Sequence, residues 1–312
     1  MDAPAGRAAP RKRRCGPAAR PASVPGMRIR RENHPGPLVL HAEGPPEPPP
    51  LRMEMTDGRR ILLRQGDRPV LLARVDEDRG GVRVHRLEGY RSPLPPIRAD
   101  EARRGPEWRY RYARWLEEAV EGPLHAGRWV IGTREVFPPY VWDSDFLSAW
   151  PGGRLDWNDG WNGVVPLRRL SAPDAPRVKA YRKQVRDGSL PPVLLWWVTA
   201  FDGWLLLDGH DRTVAALAEG LTPRTVVLHR AEDAERAAEL IAAMTADHEA
   251  LTARGFRGPD PERQYEAVAR GFAWAVSATP YDEARTRAWP IPGGTAEWDA
   301  WMLEFRHEHD RT

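Results

Sequence analysis

The chain has 312 residues, of which 41% are hydrophobic, so it is long enough to bury a sizeable core in one large or two ordinary domains. One cysteine, Cys15, excludes an intramolecular disulfide framework, and the absence of a long apolar run or a secretory signal predicts a cytoplasmic protein without membrane contacts. The formal net charge of +3 is small and comes almost entirely from arginine, so composition alone gives little support for nucleic-acid binding.

Residues 1–50 are rich in Pro, Ala, Gly and Arg, and they end in a proline-rich run at 45–50. This composition cannot bury enough apolar surface to offset the entropy of ordering the chain. We therefore expect a disordered arm over 1–50. Its basic run at 11–14 is either a nucleic-acid-binding arm or a solvated tail, and the second is the commoner role of such runs.

Short apolar runs alternate with Asp-Gly, Gly-Asp and Gly-Gly turn signals over 51–87, which predicts a meander of β-strands. A polar, proline-containing connector follows at 91–106. Residues 107–120 then place four side chains on one face at helical spacing: Trp108, Tyr112, Trp115 and Ala119. This face either packs on the preceding sheet or stacks nucleic-acid bases. With a further strand at 128–133, these elements define a β-rich region with one amphipathic helix over 51–150.

The segment 156–163 contains two carboxylates, two amides and two tryptophans, and its spacing does not fit an EF-hand. We predict a loop. In one interpretation it folds over a neighbouring site, where a tryptophan stacks on a base and Asp156 or Asp159 holds Mg²⁺ or accepts a proton. In the other it is an Asx-rich turn whose polar side chains bond their own backbone while the tryptophans pack below.

A charged helix is predicted over 174–186, with Lys179 and Lys183 on one face. Lys183 either adds positive charge to a phosphate site or belongs to a solvated face. Asp187 and Gly188 end the helix, and a strand is predicted over 193–198.

The strongest functional signal is a strand, a turn and a helix in succession. The apolar run at 205–207 predicts a buried strand, and apolar residues at helical spacing begin at Val214. Between them, Gly209 allows the backbone to bend or to approach a ligand closely. The start of the helix offers free backbone N–H groups beside Arg212. This arrangement predicts a site for phosphate or another anion.

These residues resemble the ParB/sulfiredoxin superfamily. The resemblance rests on Gly-Ser-Leu-Pro-Pro-Val at 188–193, Asp-Gly-His-Asp-Arg at 208–212, and the order of strands and helices over 163–230. It implies a small mixed α/β core whose turn meets the phosphates of ATP, ADP or CTP. Sulfiredoxin chemistry needs a cysteine where this chain has His210, so sulfinic acid reduction is not expected. The chromosome-partitioning members carry a second arginine where this chain has Asp211, and no helix-turn-helix unit is recognisable downstream.

Each polar side chain of the turn has more than one interpretation. Arg212 contacts phosphate oxygens or forms a salt bridge with Asp208. Asp208 caps the following helix or binds ribose or a metal ion, and His210 is a phosphate ligand, a general acid or a structural side chain. Asp211 would repel a phosphate unless it points away as an N-cap or a cation such as Mg²⁺ intervenes. Gly209 and Thr213 complete the predicted cofactor-binding set, together with Lys183.

We predict an α+β fold with a ParB/sulfiredoxin-like core over 151–230, a β-rich region before it, and a helical C-terminal cover over 231–312. The first functional hypothesis is an enzyme that binds a nucleoside triphosphate or diphosphate with Mg²⁺. It would transfer a phosphoryl group to a small molecule or hydrolyse the nucleotide, with catalytic residues drawn from the following set: Asp211, His210, Asp156 and Asp159. The second hypothesis is a non-catalytic nucleotide- or DNA-binding module.

Overall fold

The computed structural model describes residues 27–33, 37–44, 47–134, 139–142, 144–157, 163–257 and 259–309. Within these residues the chain forms thirteen strands and eight α-helices, and the strands build two mixed sheets. This confirms the predicted α+β fold class. None of the helices described combines the length and the apolar character that a membrane crossing requires.

The first half of the chain contains β1 (Arg28–Asn33), β2 (Leu38–Glu43), β3 (Leu51–Thr56), β4 (Arg60–Gln65), β5 (Arg68–Asp76), β6 (Gly81–Arg86), α1 (Ala99–Arg104), α2 (Trp108–Glu117), β7 (Gly127–Arg134), α3 (Ser144–Ser148) and β8 (Gly152–Asp156). The second half contains β9 (Val164–Pro166), α4 (Pro176–Arg186), β10 (Val193–Val198), β11 (Gly203–Asp208), α5 (His210–Ala218), β12 (Thr225–Ala231), α6 (Ala234–Ala253), α7 (Pro261–Ala278), β13 (Ala288–Pro290) and α8 (Gly294–His309).

The first sheet has seven strands in the order β1-β2-β7-β12-β10-β11-β9. The pairs β10/β12 and β11/β9 are parallel and the other pairs are antiparallel. Every residue of β11 before Asp208 is buried, which explains why its apolar run is continuous rather than alternating. The predicted buried strand at 205–207 is thus confirmed, and its end delivers Asp208 to the rim of the sheet.

The second sheet has six strands in the order β13-β3-β4-β5-β6-β8, and it contains the meander predicted over 51–87. Its side chains alternate between two faces, as the period of a strand requires. Ile61 and Leu63 face a core shared with the first sheet, whereas Leu62 and Leu72 pack under Trp298 of α8 on the opposite face.

Helix α2 lies in the core between the two sheets. Tyr112 is fully buried there, Trp108 is nearly so, and the Tyr112 hydroxyl donates a hydrogen bond to the carbonyl oxygen of Pro192. The aromatic face of this helix therefore packs inward. This confirms the packing interpretation of the pattern and leaves those rings unavailable for stacking on bases.

Residues 28–33 and 38–43 form two paired strands, although they fall in the segment that we expected to be disordered. The expectation overlooked the run Leu38-Val39-Leu40, which is buried when β2 pairs with β7. The apolar side chains of β2 are thus buried by β7, a strand far along the chain, and the composition of residues 1–50 alone could not indicate this. Residues 1–26, with the basic run at 11–14, lie outside the described residues.

The predicted division into four regions remains a prediction. In the structure, each sheet contains strands from more than one of these regions. The first sheet joins β1 and β2 to β7 and to β9–β12, while the second receives β8 and β13 from the later part of the chain. The C-terminal cover is helical as expected. Within it α8 packs on the second sheet, whereas α6 and α7 bury a single described side chain, that of Ala237.

Candidate functional site

The site is built around the turn between β11 and α5. Gly209 occupies this turn with a φ of 97°, a conformation that favours glycine. A β-carbon at this position would lie 2.7 Å from Cγ1 of Val193 and 2.8 Å from Nη2 of Arg212. The glycine therefore lets the Arg212 guanidinium lie directly against the backbone. The expected close approach to a ligand stays a prediction.

Arg212 is 3% exposed and forms a salt bridge with Asp208, in which its Nη2 donates to Oδ2. A buried charge needs such a partner, and Asp208 at the end of β11 provides it across the turn that leads into α5. Nε of Arg212 is buried without a hydrogen-bond partner among the described residues. The salt-bridge interpretation of Arg212 is therefore confirmed, and one of its donors is left over.

Asp208 does not cap α5, since the N-cap residue is Gly209. Its Oδ1 instead accepts a hydrogen bond of 2.7 Å from the hydroxyl of Ser92. The capping interpretation of Asp208 is wrong, because Arg212 and Ser92 hold the carboxylate away from the helix N–H groups.

Asp211 is not the N-cap of α5, and its carboxylate has polar and charged partners. Its Oδ1 accepts a hydrogen bond of 2.8 Å from the hydroxyl of Ser171, and its Oδ2 lies 3.4 Å from Nε of Arg177 and 3.8 Å from Nη2 of Arg168. Two arginines thus neutralise the carboxylate that seemed incompatible with a bound phosphate. Sequence analysis missed both, although each follows closely on a predicted element, Arg168 after β9 and Arg177 at the start of α4.

His210 is 1% exposed, and its Nε2 accepts a hydrogen bond of 3.1 Å from the backbone N–H of Leu167. Burial, together with the charges of Arg168 and Arg212, holds its pKa well below the ordinary value. The ring is therefore neutral, and the nitrogen that would exchange a proton is already engaged. This contact favours the structural interpretation of His210.

Residues 90–97 cross over the turn. The Tyr90 hydroxyl donates a hydrogen bond of 2.9 Å to the carbonyl oxygen of Leu207, and Ser92 is bound to Asp208 as described above. Sequence analysis treated this segment only as a proline-containing connector. Its contacts are more than a hundred residues away in the chain, so no local pattern could have identified it.

A cavity of about 110 Å³ lies between these elements. Three guanidinium groups, those of Arg168, Arg177 and Arg212, line it together with the carboxylates of Asp208 and Asp211. Because His210 is neutral, the lining carries a net positive charge. The volume is well below the roughly 300–1,000 Å³ of sites that enclose a drug-sized ligand. The cavity therefore suits one anionic group better than a whole nucleotide.

The other predicted site residues are distributed differently. Thr213 is fully buried, and its Oγ1 has no hydrogen-bond partner among the described residues. Lys183 is exposed on α4 and does not line the cavity. Its neighbours Arg182 and Arg186 both pair with Glu219, at 2.6 and 2.8 Å. This part of α4 therefore favours the interpretation of a solvated face.

Asp156 ends β8 in the second sheet, with its Oδ2 3.8 Å from Nε of Arg154, and it is not part of the cavity lining. Trp157 beside it is half-buried and donates a hydrogen bond of 3.1 Å to the carbonyl oxygen of Phe201. That contact favours packing of the tryptophan rather than stacking on a base. Asp159 lies outside the described residues.

The described side chains include no group of three or more His, Cys, Asp or Glu arranged to hold a metal ion. Asp208 and Asp211 are the two carboxylates of the cavity, and guanidinium groups already neutralise both. A Mg²⁺ ion held by the protein alone does not fit this donor set. The expected Mg²⁺ stays a prediction, and no chemical step is derived through it.

No protein-family model, curated protein or solved structure matches this chain. The resemblance to the ParB/sulfiredoxin superfamily therefore remains a prediction from residues 163–230. The functional argument depends on the geometry of the cavity itself.

Proposed function

We propose that this protein binds a nucleotide by its phosphates, with one phosphate group in the cavity at the start of α5 and the nucleoside outside it. The observation that carries the proposal is the buried guanidinium of Arg212, whose Nε lacks a partner among the described residues, at the N-terminus of a helix whose N-cap residue is a glycine. Arg168 and Arg177 add two further cations to the same cavity.

The chemistry of this arrangement suits an anion with several oxygens. The first four N–H groups of a helix have no partner within it, and the helix dipole places positive charge at the same end. Arginine offers a planar fork of donors that matches phosphate oxygens. An anion here would compete with Asp211 for Arg168 and Arg177, so its binding would loosen an ion pair that the free protein makes.

The rest of the ligand has a place to lie. Tyr181 and the segment 94–97 line the same cavity and present apolar surface beside the charged groups. A ribose or base resting there would bring a second set of contacts without entering the cavity. A cytoplasmic location, where nucleotides are abundant, belongs to the same proposal.

Binding is better supported than catalysis. The expected base, Asp211, is held by Ser171 and two arginines, and Nε2 of His210 already accepts a hydrogen bond. Phosphoryl transfer or hydrolysis by this site would require Asp211 to be released when the phosphate takes over its arginines. An assay for ADP formed from ATP by the wild-type protein would detect such transfer or hydrolysis.

Thermal-shift titrations with ATP, ADP, adenosine and inorganic phosphate, each with and without Mg²⁺, test the proposal. ATP and ADP should stabilise the protein, by about 2.7 kcal/mol at a hundred times the dissociation constant, whereas adenosine should not. The variant Arg177→Gln should weaken ATP binding roughly tenfold, because it removes one charge-assisted contact.

Arg186→Gln is the matched control, since Arg186 lies on the same helix, is exposed and pairs with Glu219 instead. Its ATP affinity should equal that of the wild type. Equal shifts with ATP and adenosine, or equal losses in the two variants, would contradict phosphate binding at this cavity. Salt-sensitive binding of duplex DNA without any nucleotide effect would support the DNA-binding alternative.

A further inference from the structure

A second cavity, of about 220 Å³, lies where the C-terminal half of α8 passes the ends of β5 and β6. Three of its nine lining residues are aromatic and come from distant parts of the chain, namely Trp150, Trp301 and Phe305. Arg86, the last residue of β6, also lines it. This cavity shares no lining residue with the one at α5.

Arg86 is 1% exposed, and none of the described carboxylates forms an ion pair with it. Its Nε donates to the carbonyl oxygen of Pro151 at 3.1 Å, and its Nη2 donates to the carbonyl oxygens of Gly152 at 2.9 Å and of Ala149. Nη1 is buried without a hydrogen-bond partner among the described residues. These contacts fix the guanidinium in place and leave its charge without a counter-ion.

Aromatic rings compensate for part of this charge. The guanidinium carbon lies 5.2 Å from the ring centroid of Phe146 and 5.3 Å from that of Trp150, within the range of cation–π contacts. Because Trp150 is also a wall of the cavity, the guanidinium lies at its boundary. Desolvation lowers the pKa of Arg86 to about 10, which expresses the remaining cost of burying a cation without an anion.

A purely structural role accounts for only part of this arrangement. Three carbonyl contacts suffice to hold the turn at 149–152, and they use Nε and Nη2 alone. They leave unexplained both the unpaired Nη1 and the cavity that Arg86 lines. A buried, unpaired cation next to an apolar cavity is the pattern expected of a site for an organic anion.

We propose that this second cavity binds a small monocarboxylic acid with one aromatic ring, whose carboxylate pairs with Arg86 and whose ring packs against Trp150, Trp301 and Phe305. The size is suitable, since a cavity of roughly 150 Å³ is known to admit benzene. Arg68, Glu88 and Glu304 are exposed and also line this cavity. With Arg86, the lining holds two cations and two carboxylates, and only the Arg86 cation is buried, so the site suits an acid with a single negative charge.

Isothermal titration of the full-length chain with benzoate, benzamide and acetate tests the proposal. Benzoate should bind, whereas benzamide, which has the same shape without the charge, and acetate, which lacks the ring, should bind at least tenfold more weakly. This measurement needs only the wild-type protein. Equal affinity for benzoate and benzamide, or no benzoate binding at millimolar concentration, would overturn the proposal.

Variants then locate the bound acid. Arg86→Met should abolish the preference for benzoate over benzamide. Because that variant also loses the contacts to the turn at 149–152 and its folding is at risk, Trp301→Ala is the second variant, and it should weaken benzoate binding roughly tenfold through lost ring contact. Full benzoate affinity in Trp301→Ala would overturn the assignment to this cavity.

Two further variants complete the design. Glu304→Gln should tighten benzoate binding about twofold, as expected on removing an exposed like charge. Arg177→Gln, which alters the other cavity, should leave benzoate affinity unchanged. Loss of benzoate binding in Arg177→Gln would place the acid at the α5 site and so refute a second site, without bearing on nucleotide binding there.

Discussion

Arginine side chains form ion pairs with both carboxylates of the α5 cavity. Asp208 and Asp211 are each held by guanidinium groups, and this pairing allows carboxylates to line a cavity that remains positive overall. The Asp208–Arg212 pair could be anticipated, since opposite charges lie close together on the two sides of a short strand–helix turn. The arginines that hold Asp211 could not, because the contact depends on where β9 and α4 meet α5 in three dimensions.

Gly209→Ala should destabilise the protein by at least 2 kcal/mol. The new β-carbon would meet Val193 and Arg212 at distances below 3 Å, in addition to the strain of a positive φ, which costs on the order of 1 kcal/mol. Gly220→Ala is the matched control, because Gly220 also has a positive φ but faces open space at the other end of α5. Urea denaturation of both variants measures the difference, and similar losses of stability would argue against close packing at Gly209.

His125 should make stability depend on pH. It is buried between Trp129 and Trp289, with ring centroids 4.9 and 5.0 Å away, and burial lowers its pKa to about 4 from an ordinary value of 6.5. Between pH 4 and pH 6.5, His125 is protonated in the unfolded chain and neutral in the folded chain. Stability is therefore lost as the pH falls from 6.5 to 4, by roughly 3 kcal/mol from this group.

The variant His125→Phe retains a ring at this position and removes the titration. Urea denaturation at pH 7 and pH 4.5 should show a smaller loss of stability in His125→Phe than in the wild type. His210 titrates in the same direction, but it is present in both proteins and cancels in the comparison. Parallel losses in the two proteins would show that His125 is accessible to protons in the folded state.

Elements with a strong local pattern were the ones that sequence analysis placed well. The strand predicted over 193–198 has those bounds in the structure, because its apolar run is closed by Pro192 before it and by a short turn after it. Helix α4 begins at Pro176 rather than at 174, since proline at the first helical position fixes the start. The strand predicted over 128–133 extends by one residue at each end, as β7.

Helix α8 should depend on one side chain for its attachment to the second sheet. Trp298 is 5% exposed, packs with Leu62 and Leu72, and donates a hydrogen bond of 2.9 Å to the carbonyl oxygen of Ile61. Trp298→Ala removes this burial and leaves a cavity, so we expect a loss of about 3–5 kcal/mol. Chemical denaturation followed by circular dichroism measures it.

The adjacent residue provides the control for that measurement. Asp299 is exposed and pairs with Arg60 at 3.0 Å, so Asp299→Ala should cost less than about 1 kcal/mol. If both variants lose the same stability, α8 is held by its surface ion pairs rather than by its apolar face.

The arrangement of the whole molecule was beyond reach of the sequence. Periodicity identifies strands one at a time, but it does not say which strand pairs with which, and here β2 pairs with β7 while β13 joins β3. The candidate site shows the same limit. Its turn at 208–213 was predicted from local residues, whereas Ser92, Arg168 and Arg177 reach it only through the assembled sheets.

The pairing of β2 with β7 also has a consequence for synthesis on the ribosome. Leu38, Val39 and Leu40 leave the exit tunnel long before residues 127–134 exist to cover them. At a synthesis rate of about 5–20 residues per second, this apolar strand stays without its partner strand for several seconds or more. We therefore expect this segment to be the part of the nascent chain that a holdase chaperone binds.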